Sequence, residues 1–213
     1  MRLDHLSYAV SHPELADTVQ RLGCQLGGTF VDGGRHPAFG TQNFILPLTG
    51  GTYLEVVAAL DHPAAEKAPF GQAVRRQAER GGGWLAWVVS VQDIAPIEIR
   101  LGRPSVPGQR IKPDGDVLTW HQIGISDLLR DASLPYFTQW TSPAAQHPST
   151  VAPAVVTLLG WDICGDSDTI NAWLGAPLEA LPDGARLRWV DSEEAGLVAA
   201  EFRNPNGQVV RID

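Results

Sequence analysis

Two side chains stand out as candidates for chemistry. His5 lies in Leu3-Asp4-His5-Leu6 and Glu55 in Tyr53-Leu54-Glu55-Val56, each inside an apolar, β-forming run. Strand alternation puts His5 on one face with Leu3 and Ser7, and Glu55 on one face with Tyr53 and Val57. A carboxylate in mid-strand among apolar residues must be paired, hydrogen-bonded or metal-bound, because an isolated buried charge is very costly. Imidazole plus carboxylate is a workable ligand set for Zn, Mn, Fe, Co or Ni, and equally a structural His–Glu hydrogen bond.

The remaining candidates carry weaker signals. His12, His36, His62 and His147 each precede proline, which pushes them out of the helical region and into turns and extended loops; exposed punctuation is the expectation for His12, His62 and His147. His121 lies in a strand-like segment and reads as half-buried. Trp84, Trp87, Trp120 and Trp140 would form a wall for a flat or apolar ligand if they converge, with core packing the ordinary alternative. There is no GxSxG elbow, no GxxxxGK[ST] loop and no strand–GxGxxG–helix unit. Cys24 and Cys164 lack CxxC spacing and read as free thiols.

The elements that must position these residues recur in one order. Strands are expected at 3–10, 28–32, 42–48 and 52–58, with a helix after Pro13 that ends at Gly23, giving βαβββ. A helix over 64–80 stops at Gly81-Gly82-Gly83. A second set follows: strand 84–91, a short helical piece at 93–101, then strands near 110–111, 117–123 and 136–140. A third set has strand 155–164, helix 166–174 and strands 186–191, 197–203 and 208–212. Such recurrence is an architectural signal, since one unit cannot bury its sheet face alone. The expected fold is α+β: tandem βαβββ units forming a cupped mixed sheet, with a third βαβββ-like unit at the C-terminus. The expected division is a domain over 1–145 (units 1–62 and 82–145, linker helix 64–80) and an additional, structural unit over 150–213.

The totals narrow the function classes. A chain of 213 residues with 44% hydrophobic and 19% charged residues is ordinary globular composition. A net charge of −8 with no Lys/Arg cluster argues against nucleic acid or an anionic membrane as partner. The opening Met1-Arg2-Leu3-Asp4-His5 has an acid where a signal peptide needs an apolar run, and no stretch approaches about 20 apolar residues. A cytoplasmic location is the expectation.

The repeated units, with the His5 and Glu55 strands, resemble the vicinal-oxygen-chelate superfamily of glyoxalase I, extradiol dioxygenases and bleomycin-resistance proteins. Three segments look more narrowly like glyoxalase-like domain proteins: Gly34-Arg35-His36-Pro37-Ala38-Phe39-Gly40-Thr41-Gln42-Asn43, Lys112-Pro113-Asp114-Gly115 leading into Leu118-Thr119-Trp120, and Leu134-Pro135-Tyr136-Phe137-Thr138-Gln139-Trp140. The resemblance covers residues 1–145 well and the tail in pattern only. It implies metal ligands from the first and last strands of each unit, hence His5, Glu55 and Gln139. The Trp84-Leu85-Ala86-Trp87 strand departs from that pattern by offering no imidazole. It further implies His36 and Glu55 as acid–base groups, with His36 and Asn43 at the pocket mouth. Asn43, Tyr53, Trp87, Trp120 and His121 would be substrate contacts. Two functions follow as expectations. The first is a divalent-metal-dependent lyase, isomerase or dioxygenase acting on a small carbonyl or diol compound. The second is a metal-free protein sequestering an aromatic ligand. A homodimer is the oligomer that this resemblance suggests.

Overall fold

The computed structural model describes residues 1–175 and 185–213. Strand β1 (Arg2–Val10) leads into helix α1 (Leu15–Leu26), and strands β2 (Val31–His36), β3 (Thr41–Leu48) and β4 (Thr52–Ala59) complete the first unit. Helices α2 (Pro63–Lys67) and α3 (Pro69–Glu79) connect to the second unit. That unit has β5 (Gly83–Ser90), α4 (Ala95–Leu101), β6 (Val106–Ile111), β7 (Val117–Ile123), the one-turn α5 (Ile125–Leu128) and β8 (Tyr136–Trp140). The tail supplies β9 (Thr157–Cys164), α6 (Ser167–Leu174), β10 (Arg186–Trp189), β11 (Gly196–Arg203) and β12 (Val209–Ile212).

The first eight strands close into a barrel in the order β1-β4-β3-β2-β6-β7-β8-β5. The fold is the expected α+β type, and its two units pair within one chain. Each pairs its first strand parallel to its last with the same offset: His5 faces Tyr53 and Ser7 faces Glu55, as Val88 faces Tyr136 and Ser90 faces Thr138.

Outward-facing Leu6, Leu54, Val56, Trp84 and Trp87 share one core with Leu22 and Leu26 of α1 and with Trp161 and Phe202 of the tail sheet. Trp84 Nε1 donates to Ile212 O (3.1 Å), and Trp87 packs on Trp161 at 6.1 Å. Truncating a tryptophan buried like Trp87 costs about 3–5 kcal/mol. Inside the barrel, Phe70, Ala73 and Val74 of α3 pack with Ala9, Val57, Leu85 and Ala86, closing one end.

Three expectations shift on inspection. The helix expected over 64–80 is split because Pro69 holds Ala68 extended (ψ 133°) and restarts the helix at its own position. Strand β2 runs later than 28–32, because Gly33-Gly34, which reads as a turn, lies inside it at a register shift, with Gly34 at φ 101°. The tail keeps the βαβββ order but pairs differently, as β10-β9-β11-β12, with β9 parallel to β10 rather than to its last strand.

Candidate functional site

The barrel interior holds a network built outward from Asp4. A bulge between Leu3 and His5 breaks the alternation of β1: Leu3 stays in the outer core while His5 faces inward. Leu3 and His5 thus occupy opposite faces, contrary to simple alternation, whereas Ser7 shares the face of His5. Asp4 is fully buried and accepts three hydrogen bonds, from His5 Nδ1 (2.7 Å), Trp140 Nε1 (2.9 Å) and His147 Nε2 (3.2 Å). His147 Nδ1 accepts the backbone N–H of Ser149 (3.2 Å), which leaves Nε2–H for Asp4. Burial works to raise the Asp4 carboxyl, but the bonds from His147 and His5 overcome it and hold the group well below the usual carboxylate range. Asp4 thereby fixes the Nδ1–H of His5 and turns Nε2 into the barrel, 3.4 Å from Tyr136 Oη and 3.8 Å from Glu55 Oε2. The imidazole stacks on Tyr53 at 4.3 Å.

Glu55 accepts from Ser7 Oγ and Asn43 Nδ2, both at 2.6 Å. Burial opposes its ionisation, yet the imidazoles of His5 and His36 and these two donors hold its pKa below the ordinary value. His36 bonds Thr41 Oγ1 through Nδ1 (2.9 Å) among Phe39, Phe70 and Trp120, and burial pushes it down to about 4, so it is neutral at pH 7. Burial and the nearby carboxylates push the Tyr53 and Tyr136 phenols up, which keeps both protonated as donors. Arg110 of β6 also lines the cavity at 2% exposure.

Of the residues singled out in the sequence, His5, His36, Asn43, Tyr53, Glu55, Trp120 and Trp140 line one cavity. Asn43 and His36 lie buried within the barrel, rather than at a mouth. Trp87, His121 and Gln139 lie outside it. Trp87 faces the outer core and donates to Ser133 O (2.9 Å). His121 falls between the inward Trp120 and Gln122 and meets Ser105 Oγ at 3.3 Å. Gln139 falls between the inward Thr138 and Trp140; its amide accepts from Ile94 N (3.1 Å) and donates to Gln92 O (2.9 Å). The inward residues of β8 are Tyr136, Thr138 and Trp140, not Gln139. Of the four tryptophans that could have formed a wall, Trp120 and Trp140 meet at 5.3 Å on the cavity side, while Trp84 and Trp87 pack in the outer core, the ordinary alternative.

Asp4, Ser7, Arg110, Tyr136, Thr138 and His147 were not anticipated as site residues. His147, expected to be exposed, is buried against Asp4. A hidden signal for Arg110 was parity: in β6 only Gly108 and Arg110 are buried.

The donor set does not fit a metal held by three protein ligands. His5 and Glu55 approach each other, but the residues that β8 turns into the cavity are Tyr136, Thr138 and Trp140, and both Glu55 oxygens already accept hydrogen bonds. Among the described residues no group of three or more His, Cys, Asp or Glu side chains is placed to share an ion.

Comparison with known proteins adds the family. The model of the glyoxalase-like domain matches residues 3–177. The chain belongs to this family, within the vicinal-oxygen-chelate superfamily. Among solved structures, a hypothetical protein from Staphylococcus aureus superposes with a TM-score of 0.65 at 14% identity, covering 100% of this chain and 98% of that one. Methylmalonyl-CoA epimerase of Streptomyces coelicolor, in complex with 2-nitronate-propionyl-CoA, gives a TM-score of 0.45 at 18% identity over 67% of this chain and 99% of that one. The Mycobacterium tuberculosis epimerase gives 0.43 at 16% identity over 66% and 88%. No curated protein matches the sequence. For this glyoxalase-like chain, no helix among the described residues is long and apolar enough to cross a membrane.

Proposed function

We propose that this glyoxalase-like protein is a metal-independent acid–base enzyme that moves a proton at the carbon beside a carbonyl of a small compound. The observation that carries the reading is the Asp4–His5–Glu55 arrangement. A fully buried carboxylate fixes Nδ1 of His5, and Nε2 is left facing a second carboxylate inside the barrel cavity. The same division of labour, base backed by an orienting acid, underlies catalytic triads.

The chemistry balances with these groups alone. His5 Nε2 takes the proton from carbon, the C–H electron pair becomes a C=C bond, and the carbonyl oxygen takes up the charge as an enolate. Glu55, 3.8 Å away, stabilises the imidazolium, and Tyr136 Oη is placed to donate to the enolate oxygen. Returning the proton from His5 to carbon completes an isomerisation or an exchange. Glu55 is a poor base because the imidazoles and donors around it hold it ionised, so in this reading the acid–base role expected for Glu55 and His36 moves to His5. His36, neutral at pH 7, is left to orient the ligand. The free space is small, about 30 Å³, which favours a compact substrate.

Proton NMR of small ketones and hydroxyketones in D2O tests this. The protein should exchange the hydrogens beside the carbonyl. His5→Gln should lose about a hundredfold or more of that rate while still quenching tryptophan fluorescence with the ligand. A second reading, metal-free sequestration of an aromatic compound, draws support from Phe39, Phe70, Trp120 and Trp140 on the cavity wall. Absence of exchange with every carbonyl compound, together with tight aromatic binding, would establish it instead.

A further inference from the structure

Arg110 has a feature that neither proton transfer nor packing uses. Its guanidinium is buried at 2% exposure, faces the cavity, and has no hydrogen-bond or ion-pair partner among the described residues; its Nε is buried without an acceptor. An arginine cannot escape this by losing its proton at neutral pH, so the cost of burying the charge persists until an anion arrives. Glu55, Asp32 and the Tyr53 phenol act on it only from a distance.

Beside the acceptors Glu55 and Asn43 Oδ1, the cavity wall also carries donors with no acceptor of their own. Gln122 commits its carbonyl oxygen to Trp120 Nε1 (2.7 Å), which leaves the amide N–H groups for the cavity. The Tyr53 hydroxyl lines the same space with no hydrogen-bond partner among the described residues. Gly108 makes room for this grouping, because a Cβ there would strike the Trp120 ring.

We infer that the cavity selects a small carboxylate-bearing ligand, whose carboxylate Arg110 grips with its planar fork while Gln122 and Tyr53 donate to the same group. A planar carboxylate suits both the fork and the small free volume better than a tetrahedral phosphate. Joined to the proton-transfer reading, on which only this last step rests, the substrate class becomes a short oxo- or hydroxy-carboxylate.

The test uses matched probes: pyruvate against methyl pyruvate, oxalate against oxamide, and inorganic phosphate, read by tryptophan fluorescence and by thermal midpoint. The expected result is that pyruvate or oxalate binds at least about tenfold tighter than its neutral partner and than phosphate. Arg110→Met should abolish that preference and Arg110→Lys should restore part of it. Arg110→Met should also raise the thermal midpoint of the ligand-free protein, since it removes an unpaired buried charge. Equal binding of charged and neutral probes, no binding of any carboxylate at tens of millimolar, tighter binding of phosphate, or an unchanged preference in Arg110→Met would each overturn the inference. Deuterium exchange separates the two readings. Carboxylate preference without exchange leaves this inference standing and removes the enzyme; exchange into neutral ketones without charge preference does the reverse.

Discussion

Lowering the pH should destabilise the protein through His36, and the size of the effect follows from its burial. The imidazole ordinarily titrates at 6.5 and is pushed down to about 4 inside the barrel; burial is the main cause, Glu55 opposes it, and Arg110 and His5 add to it. Between those two values the unfolded chain binds a proton at His36 and the folded chain does not. Stability is therefore undiminished above about pH 6.5 and falls steadily as the pH drops towards about 4. At about 1.4 kcal/mol per tenfold difference in proton affinity, the loss is roughly 3 kcal/mol. His36→Gln keeps a hydrogen-bonding partner for Thr41 and removes the titration. Urea unfolding of both proteins between about pH 7 and pH 4 checks this. The wild type should lose roughly 3 kcal/mol more than the variant, or about 10 °C in thermal midpoint for a chain of this length. Curves that fall in parallel would refute the assignment of a neutral, buried His36.

Other substitutions probe separate parts of the account. Asp4→Asn leaves three donors facing a neutral amide and should cost about 3–5 kcal/mol in urea unfolding; a loss under about 1 kcal/mol would mean that the network is not held by the charge. Gly33→Ala drives a Cβ into Asn43 Oδ1 and the Ile45 side chain. It should cost about 1–3 kcal/mol and release Asn43 from Glu55, which a crystal structure of the variant would reveal. Gln139→Ala should leave ligand affinity unchanged while lowering stability by about 1–2 kcal/mol, because its amide anchors the start of α4 and never enters the barrel. A weakened ligand would return Gln139 to the site.

Much of the architecture could be read from spacing, because the strand order and the helix ends are local signals. The Tyr53-Leu54-Glu55 parity survived intact, since β4 pairs on both sides without a bulge. Three features escaped for physical reasons. The bulge at Asp4 breaks alternation, so an acid next to a histidine became its hydrogen-bond partner instead of its opposite. His147 precedes proline and looks like turn punctuation, yet its loop folds back so that the ring reaches Asp4 from 143 positions away. Counting strands placed Gln139 opposite Glu55 in the second unit, whereas Thr138 faces the cavity and the Gln139 amide turns outward to Ile94 and Gln92. Tertiary pairing decides such one-residue offsets, and every side chain changes face with them.

The central claim is an acid–base site that works without a complete metal centre. Deuterium exchange into pyruvate tests it most directly, followed by NMR with chelator-treated protein and then with Zn, Mn, Fe, Co and Ni added singly. Exchange should proceed at the same rate with and without each metal and be lost in His5→Gln. Exchange that appears only when a metal is restored, or that survives His5→Gln, would contradict it.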